Sequence, residues 1–264
     1  MSKRPIVGIA ILVAAIASLA LADGQRPRSG RRDLLVAAAA SLSVVASQLT
    51  QQFHAATGID VRLNFGGSNT LARQIVEGAR VDVFISADAA QMDMVEQAGR
   101  LAPGSRVDVL SNQLAIIVPV GAGPATWPDH LSAPAVRRVA MGDPAAVPAG
   151  VYGRQWLEAV RLWTSVKAKV VPLPSSQAAL AAVREGRAQA GIVYVTDAKD
   201  IGARDPSGVT VVHVVADVDA PRILYPAAAI RGGHESDARK FLDFLRSDAA
   251  GRVFAAAGFR VLPR

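Results

Sequence analysis

The 264-residue chain has no cysteine. That excludes disulfides, thiolate zinc sites, iron–sulfur clusters, cysteine nucleophiles and the lipidated cysteine of a bacterial lipoprotein anchor. It leaves the redox compartment open, because a chain this long builds a sufficient core without staples. Aromatic residues make up 5% and charged residues 19%, against 51% hydrophobic, a core-forming balance far from that of a disordered chain. The four histidines, His54, His130, His213 and His234, are scattered along the chain. There is no Gly-x-Gly-x-x-Gly, no phosphate loop ending in Gly-Lys-Ser/Thr, no Gly-x-Ser-x-Gly and no His-Glu-x-x-His. Together these absences weigh against an enzyme. Asp82, Asp88 and Asp143 border strands and turns, where a carboxylate more often caps than catalyses.

One long apolar run exists, Ile6 to Leu21, behind the basic head Lys3-Arg4 and ending in Ala20-Leu21-Ala22. It has the form of a cleavable secretory signal over residues 1–22, and it is shorter than the roughly 20 residues that span a bilayer. Residues 23–32 then read as a basic linker carrying Arg26, Arg28, Arg31 and Arg32. From Asp33 onward 23 basic residues face 21 acidic ones, a balance of +2, so five of the seven net positive charges belong to the amino-terminal end. The body carries no electrostatic footprint for nucleic acid.

After Asp33 short β-branched runs alternate with longer Ala/Leu-rich stretches of helical period, the grammar of α/β architecture with a mainly parallel sheet. Strands are expected at Leu34 to Ala37, Ile59 to Phe65, Val81 to Ser86 and Gln113 to Pro119, with helices from Ser41 to the residue before Gly58, Asn69 to Glu77 and Ala89 to Ala98. The pattern restarts after Gly142-Asp143-Pro144. It gives helices at Ala149 to Leu162 and Ser176 to Arg184, strands at Lys169 to Pro172 and Ala190 to Tyr194, and a tail with strands at Val211 to Val215 and Ile223 to Ile230 before two helices. Two units of like grammar, with the chain returning late, imply two lobes. The expected division is 33–111 with 226–264 in lobe 1 and 112–225 in lobe 2, with hinges at Ser111 to Leu114 and Leu224 to Pro226. Ligands of such folds sit at the carboxyl ends of the strands, here between the lobes.

One local feature recurs: a strand ending in small residues runs into a helix. It occurs at Ala38-Ala39-Ala40-Ser41, Gly66-Gly67-Ser68-Asn69, Pro148-Ala149-Gly150 and Ser175-Ser176-Gln177. Helix amino ends expose unpaired N–H groups, and small neighbours let a ligand reach the backbone. A single instance is ordinary capping. Four such ends, each with roughly half a positive charge, supply about two charges, enough for a divalent anion without lysine or arginine. The implied ligand is a small oxyanion.

The stretches Ala37-Ala38-Ala39-Ala40-Ser41-Leu42, Phe65-Gly66-Gly67-Ser68-Asn69-Thr70-Leu71-Ala72-Arg73-Gln74-Ile75, Val81 to Asp88, Gly142-Asp143-Pro144 through Val147-Pro148-Ala149-Gly150-Val151-Tyr152, and Gly191-Ile192-Val193-Tyr194 resemble the molybdate-binding periplasmic component of ABC importers. The resemblance runs from Asp33 to Arg264. It implies a two-lobe type II periplasmic binding fold that closes on molybdate or tungstate, with no cofactor. It also implies an exported monomer that delivers its ligand to an ABC permease and its ATPase. Position by position it implies a hydroxyl and an N–H from Ser41 and from Ser68, an N–H from Ala149 and from Ser176, and the phenol of Tyr194. Tyr194 enters only through the resemblance. The chain departs from the family at Gly66-Gly67-Ser68, where a serine run is common, and at Ser175-Ser176-Gln177, where an acidic residue, valine and arginine are common. Rival readings are a binder of sulfate, thiosulfate or phosphate, an exported hydrolase using Ser41 or Ser68, and a ferric-ion binder using Tyr152, Tyr194 or Tyr225.

Overall fold

A computed structural model of the chain describes residues 33–123, 125–204 and 208–263, without side chains for 200–204. The signal peptide and the basic linker expected over 1–32 lie outside the described residues. Eleven strands form two sheets among the described residues.

The first sheet starts from β1 (Leu34–Ala39), a run buried at every position but one. A 3-10 turn (Ala40–Val45) and α1 (Ala46–Thr57) carry the chain over to β2 (Val61–Gly66). The sequence leads one to expect a single helix from Ser41. Its first turn instead winds as a tighter 3-10 segment, a common form at helix amino ends. α1 buries Leu49 and Phe53, one turn apart, and ends at Gly58, whose φ of 69° gives the left-handed cap that glycine adopts without a Cβ clash. α2 (Ser68–Val76) buries Ser68, Leu71, Ala72 and Ile75 at three- and four-residue spacing and leads to β3 (Val83–Ile85). β1 pairs in parallel with β2 and with β3, the arrangement that helical crossovers permit.

α3 (Ala89–Gln97) follows, and then β4 (Val107–Ser111) leads to β5 (Leu114–Pro119) in the second sheet. That sheet repeats the plan. β6 (Val139–Gly142), α4 (Pro148–Ala159), the short α5 (Trp163–Val166), β7 (Val170–Leu173), α6 (Ser176–Arg184) and β8 (Ala190–Tyr194) form a parallel trio of strands. β5 then pairs antiparallel with β8 and with the edge strand β9 (Val209–Val214). Between β8 and β9 lies α7 (Val195–Arg204). The chain returns to the first sheet as β10 (Tyr225–Ala229), antiparallel to both β3 and β4, and closes with α8 (Glu235–Leu245), α9 (Asp248–Ala257) and the two-residue β11 (Arg260–Val261).

The orders are β11-β4-β10-β3-β1-β2 and β7-β6-β8-β5-β9. Each sheet thus has a parallel core of three strands, with antiparallel strands added beside the third. The chain passes between the sheets after Ser111 and again before Tyr225. β10 is a fully buried inner strand, Tyr225 and Pro226 followed by three alanines, and its Pro226 has no N–H for the ladder. A register shift between Tyr225 and Pro226 absorbs the lost bond.

Candidate functional site

Strand direction locates the site. The segments that follow β1, β2 and β3 in the first sheet, and β6 and β7 in the second, meet the last residue of β8 around one cleft of about 230 Å³. This is the crevice outside the carboxyl ends of parallel strands. Its walls are small residues, with Ser41, Ser68, Ser175, Ser176 and Tyr194 supplying the side-chain polar atoms and no acid, base or histidine among them. Ser41, Ser68, Ala149, Ser176 and Tyr194 all line it, each at most 4% exposed.

Capping does not account for these helix ends. Ala39, Gly67 and Val147, which precede the 3-10 turn, α2 and α4, make no side-chain cap bond. Only Ser175 caps, accepting from the N–H of Ala178. In α2 the N–H groups of Thr70 and Leu71 bind the Gly67 carbonyl, so those of Ser68 and Asn69 stay outside the helix ladder. In α4 Gly150 and Val151 bind the Val147 carbonyl, and Pro148 has no N–H, which leaves Ala149 as the free end donor. Gly150 makes this possible: a Cβ there would lie 2.1 Å from the Gly142 carbonyl oxygen, so only glycine lets α4 start this close to β6.

The hydroxyls are oriented as well as placed. Ser68 Oγ accepts from the N–H of Ala87 at 2.9 Å, which leaves its own proton free to donate. Ser41 Oγ lies 3.0 Å from the phenol oxygen of Tyr225. Tyr194 Oη is buried and has no hydrogen-bond partner among the described residues. A buried hydroxyl without a partner costs about 1–3 kcal/mol, so an acceptor brought to it is stabilised by that amount. Burial, with smaller contributions from Tyr225, Tyr152, Asp88 and Asp197, pushes the Tyr194 phenol well above its ordinary value, and burial does the same at Tyr152 and Tyr225. All three phenols are therefore neutral donors at physiological pH. The cleft offers N–H and O–H protons from neutral groups, already fixed in direction, which is the arrangement that holds an oxyanion without a buried counter-charge.

The rival sequence readings meet specific obstacles. Among the described residues no group of three or more His, Cys, Asp or Glu side chains is placed to hold a metal. For a serine hydrolase, Ser41 and Ser68 have Tyr225 and the Ala87 N–H as partners, while His54 and His234 pair with Asp60 and Asp82 away from the cleft. Sequence reasoning missed Asn112 and the part that Tyr225 plays behind Ser41, since no local pattern marks either.

The sequence family described as "Bacterial extracellular solute-binding protein" matches residues 34–260. The molybdate-binding protein ModA of Escherichia coli (strain K12) is 32% identical over 260 residues, 96% of this chain and 95% of that protein. Among solved structures, the periplasmic molybdate-binding protein of Azotobacter vinelandii superposes with a TM-score of 0.77 at 26% identity, over 88% of this chain and all of that one. The sulfate-binding protein SubI of Mycobacterium tuberculosis H37Rv gives a TM-score of 0.75 at 17% identity, over 87% of each chain, a likeness of fold alone.

Proposed function

Because the chain belongs to the bacterial extracellular solute-binding protein family, we propose that it captures molybdate, and tungstate with it, and delivers the anion to an ABC permease and its ATPase. The reading carries over what the Escherichia coli and Azotobacter vinelandii relatives are named for. It also places the protein outside the cytoplasm, exported by the segment over 1–22, as a carrier that does no chemistry on its ligand. Ser41, Ser68, Ala149, Ser176 and Tyr194 are the proposed contacts. The lobes are 33–111 with 226–264, and 112–225, and they close by rotation about the two crossings.

The observation that carries the reading is a cleft of neutral N–H and O–H groups, with a buried Tyr194 hydroxyl that has no acceptor among the described residues. Molybdate, tungstate and sulfate are fully deprotonated near neutral pH and present only acceptors. Hydrogen phosphate keeps a proton that would need an acceptor, and the cleft walls hold no carboxylate to receive it. Sulfate is discriminated by size, since longer metal–oxygen bonds place the oxygens of molybdate nearer the fixed donors. Titration calorimetry of the purified protein with sodium molybdate tests this: one site per chain is expected, weakened by Ser68→Ala and by Tyr194→Phe. Binding unchanged in both variants would move the site elsewhere.

A further inference from the structure

Behind Ser41 lies a chain of buried hydrogen bonds that begins in the crossing between the sheets. Asn112 sits between β4 and β5, at 5% exposure. Its Oδ1 is 2.9 Å from the main-chain nitrogen of Gln113. A main-chain N–H can only donate, so this contact fixes the carboxamide oxygen on that side and the amide nitrogen on the other. Asn112 Nδ2 therefore donates to Thr196 Oγ1, at 2.9 Å, and to Tyr225 Oη, at 3.2 Å. Tyr225 is fully buried, and among the described residues the acceptor within reach of its phenol proton is Ser41 Oγ, at 3.0 Å. With Tyr225 donating, that lone pair of Ser41 is engaged and the Ser41 proton is left to donate elsewhere.

From this geometry we infer that Asn112 and Tyr225 are positioning residues that set Ser41 as a hydrogen-bond donor to the oxyanion. They touch no ligand themselves. The direction is dictated by a backbone N–H in one interlobe crossing and passes through Tyr225, the first residue of the strand that makes the other. Thr196, from α7, holds the second proton of the same carboxamide. The bonds span 84, 113 and 184 residues of sequence, so the relay exists only when the crossings and α7 are in register. Without Tyr225, Ser41 Oγ is free to rotate, and its proton is no longer reserved for the ligand.

The inference rests on the oxyanion reading and has its own test, a double-mutant cycle read by titration calorimetry with sodium molybdate. The four proteins are the wild type, Tyr225→Phe, Ser41→Ala and the double variant. Tyr225→Phe is expected to weaken molybdate binding about tenfold when Ser41 is present, the scale of one hydrogen bond, and by less than about twofold when Ser41 is alanine. Equal losses in both backgrounds, the mark of a purely structural role, would overturn the relay. If Tyr225→Phe does not fold, Asn112→Leu probes the other end and is expected to show the same dependence on Ser41. Additive losses there overturn the relay as well. A wild type that binds no molybdate defeats the functional reading, and the relay falls with it.

Discussion

Tyr194 faces two requirements that pull apart. Its hydroxyl lacks a partner among the described residues and would gain one from an anion. Tyr194→Phe should therefore leave the free protein as stable as before, or more stable by about 1 kcal/mol, while molybdate binding weakens by roughly 10- to 100-fold. Parallel melting and titration curves check this, and a loss in both would make the hydroxyl structural. Asp88 offers a test by pH. Burial raises its pKa above 3.8 more than its bonds with the Gln91 N–H and Ser86 lower it. An acid whose folded pKa is raised stabilises the fold most below the unfolded value, and that contribution is lost as pH rises through the folded one. Asp88→Asn keeps a capping oxygen for α3 and removes the charge. The variant should melt higher than the wild type near pH 7 and equal it near pH 3; a variant less stable near pH 7 would contradict this. At the residue scale the sequence exposes Ser41, Ser68, Ala149 and Ser176, because a helix end after a strand of small residues is a local pattern. Tyr194 ends a strand and reads as core, so it is visible only through family resemblance. Asn112 and Tyr225 act through bonds between residues far apart in the chain, which no window of sequence contains.

The helix ends deliver their N–H groups only if the helices begin close to the strands before them. Gly150 is the tightest such contact. Gly150→Ala should push α4 off β6, lowering stability by about 1–3 kcal/mol through overpacking and weakening molybdate binding as the Ala149 N–H withdraws. Chemical denaturation and titration of the variant measure the two effects, and an unaffected affinity would remove Ala149 from the site. Elements with local periodicity and clear stops were legible: α6 and β8 fall at Ser176–Arg184 and Ala190–Tyr194, as the pattern indicates. β4 was not, because its five residues include Asp108 and its pairing is with β10 and β11, contributed more than a hundred residues later. α7 escaped for another reason. It starts directly after Tyr194 with no glycine, proline or serine between strand and helix, so nothing in the sequence punctuates its beginning.

Across the whole molecule, the two sheets approach at the cleft through backbone as well as side chains. A Cβ on Gly67 would lie 2.7 Å from the Pro174 carbonyl oxygen, on the loop after β7 in the opposite sheet. A Cβ there would also lie 2.7 Å from Asn69 Oδ1, so Gly67→Ala is expected to force the two loops apart, lowering the melting temperature and weakening molybdate binding in titration calorimetry. Unchanged stability and affinity would show that the loops have more room at this point than the structure gives them. The central claim is that the cleft selects a fully deprotonated tetrahedral oxyanion of molybdate size using neutral donors alone. Thermal unfolding of the purified, anion-free protein with molybdate, tungstate, sulfate or phosphate tests it most directly. At about 100 times the dissociation constant a ligand adds roughly 2.7 kcal/mol, or about 5–11 °C in melting temperature for a protein of this size. The account predicts that rise with molybdate and tungstate and little with sulfate or phosphate. A rise with sulfate or phosphate, or with none of the four, would contradict it.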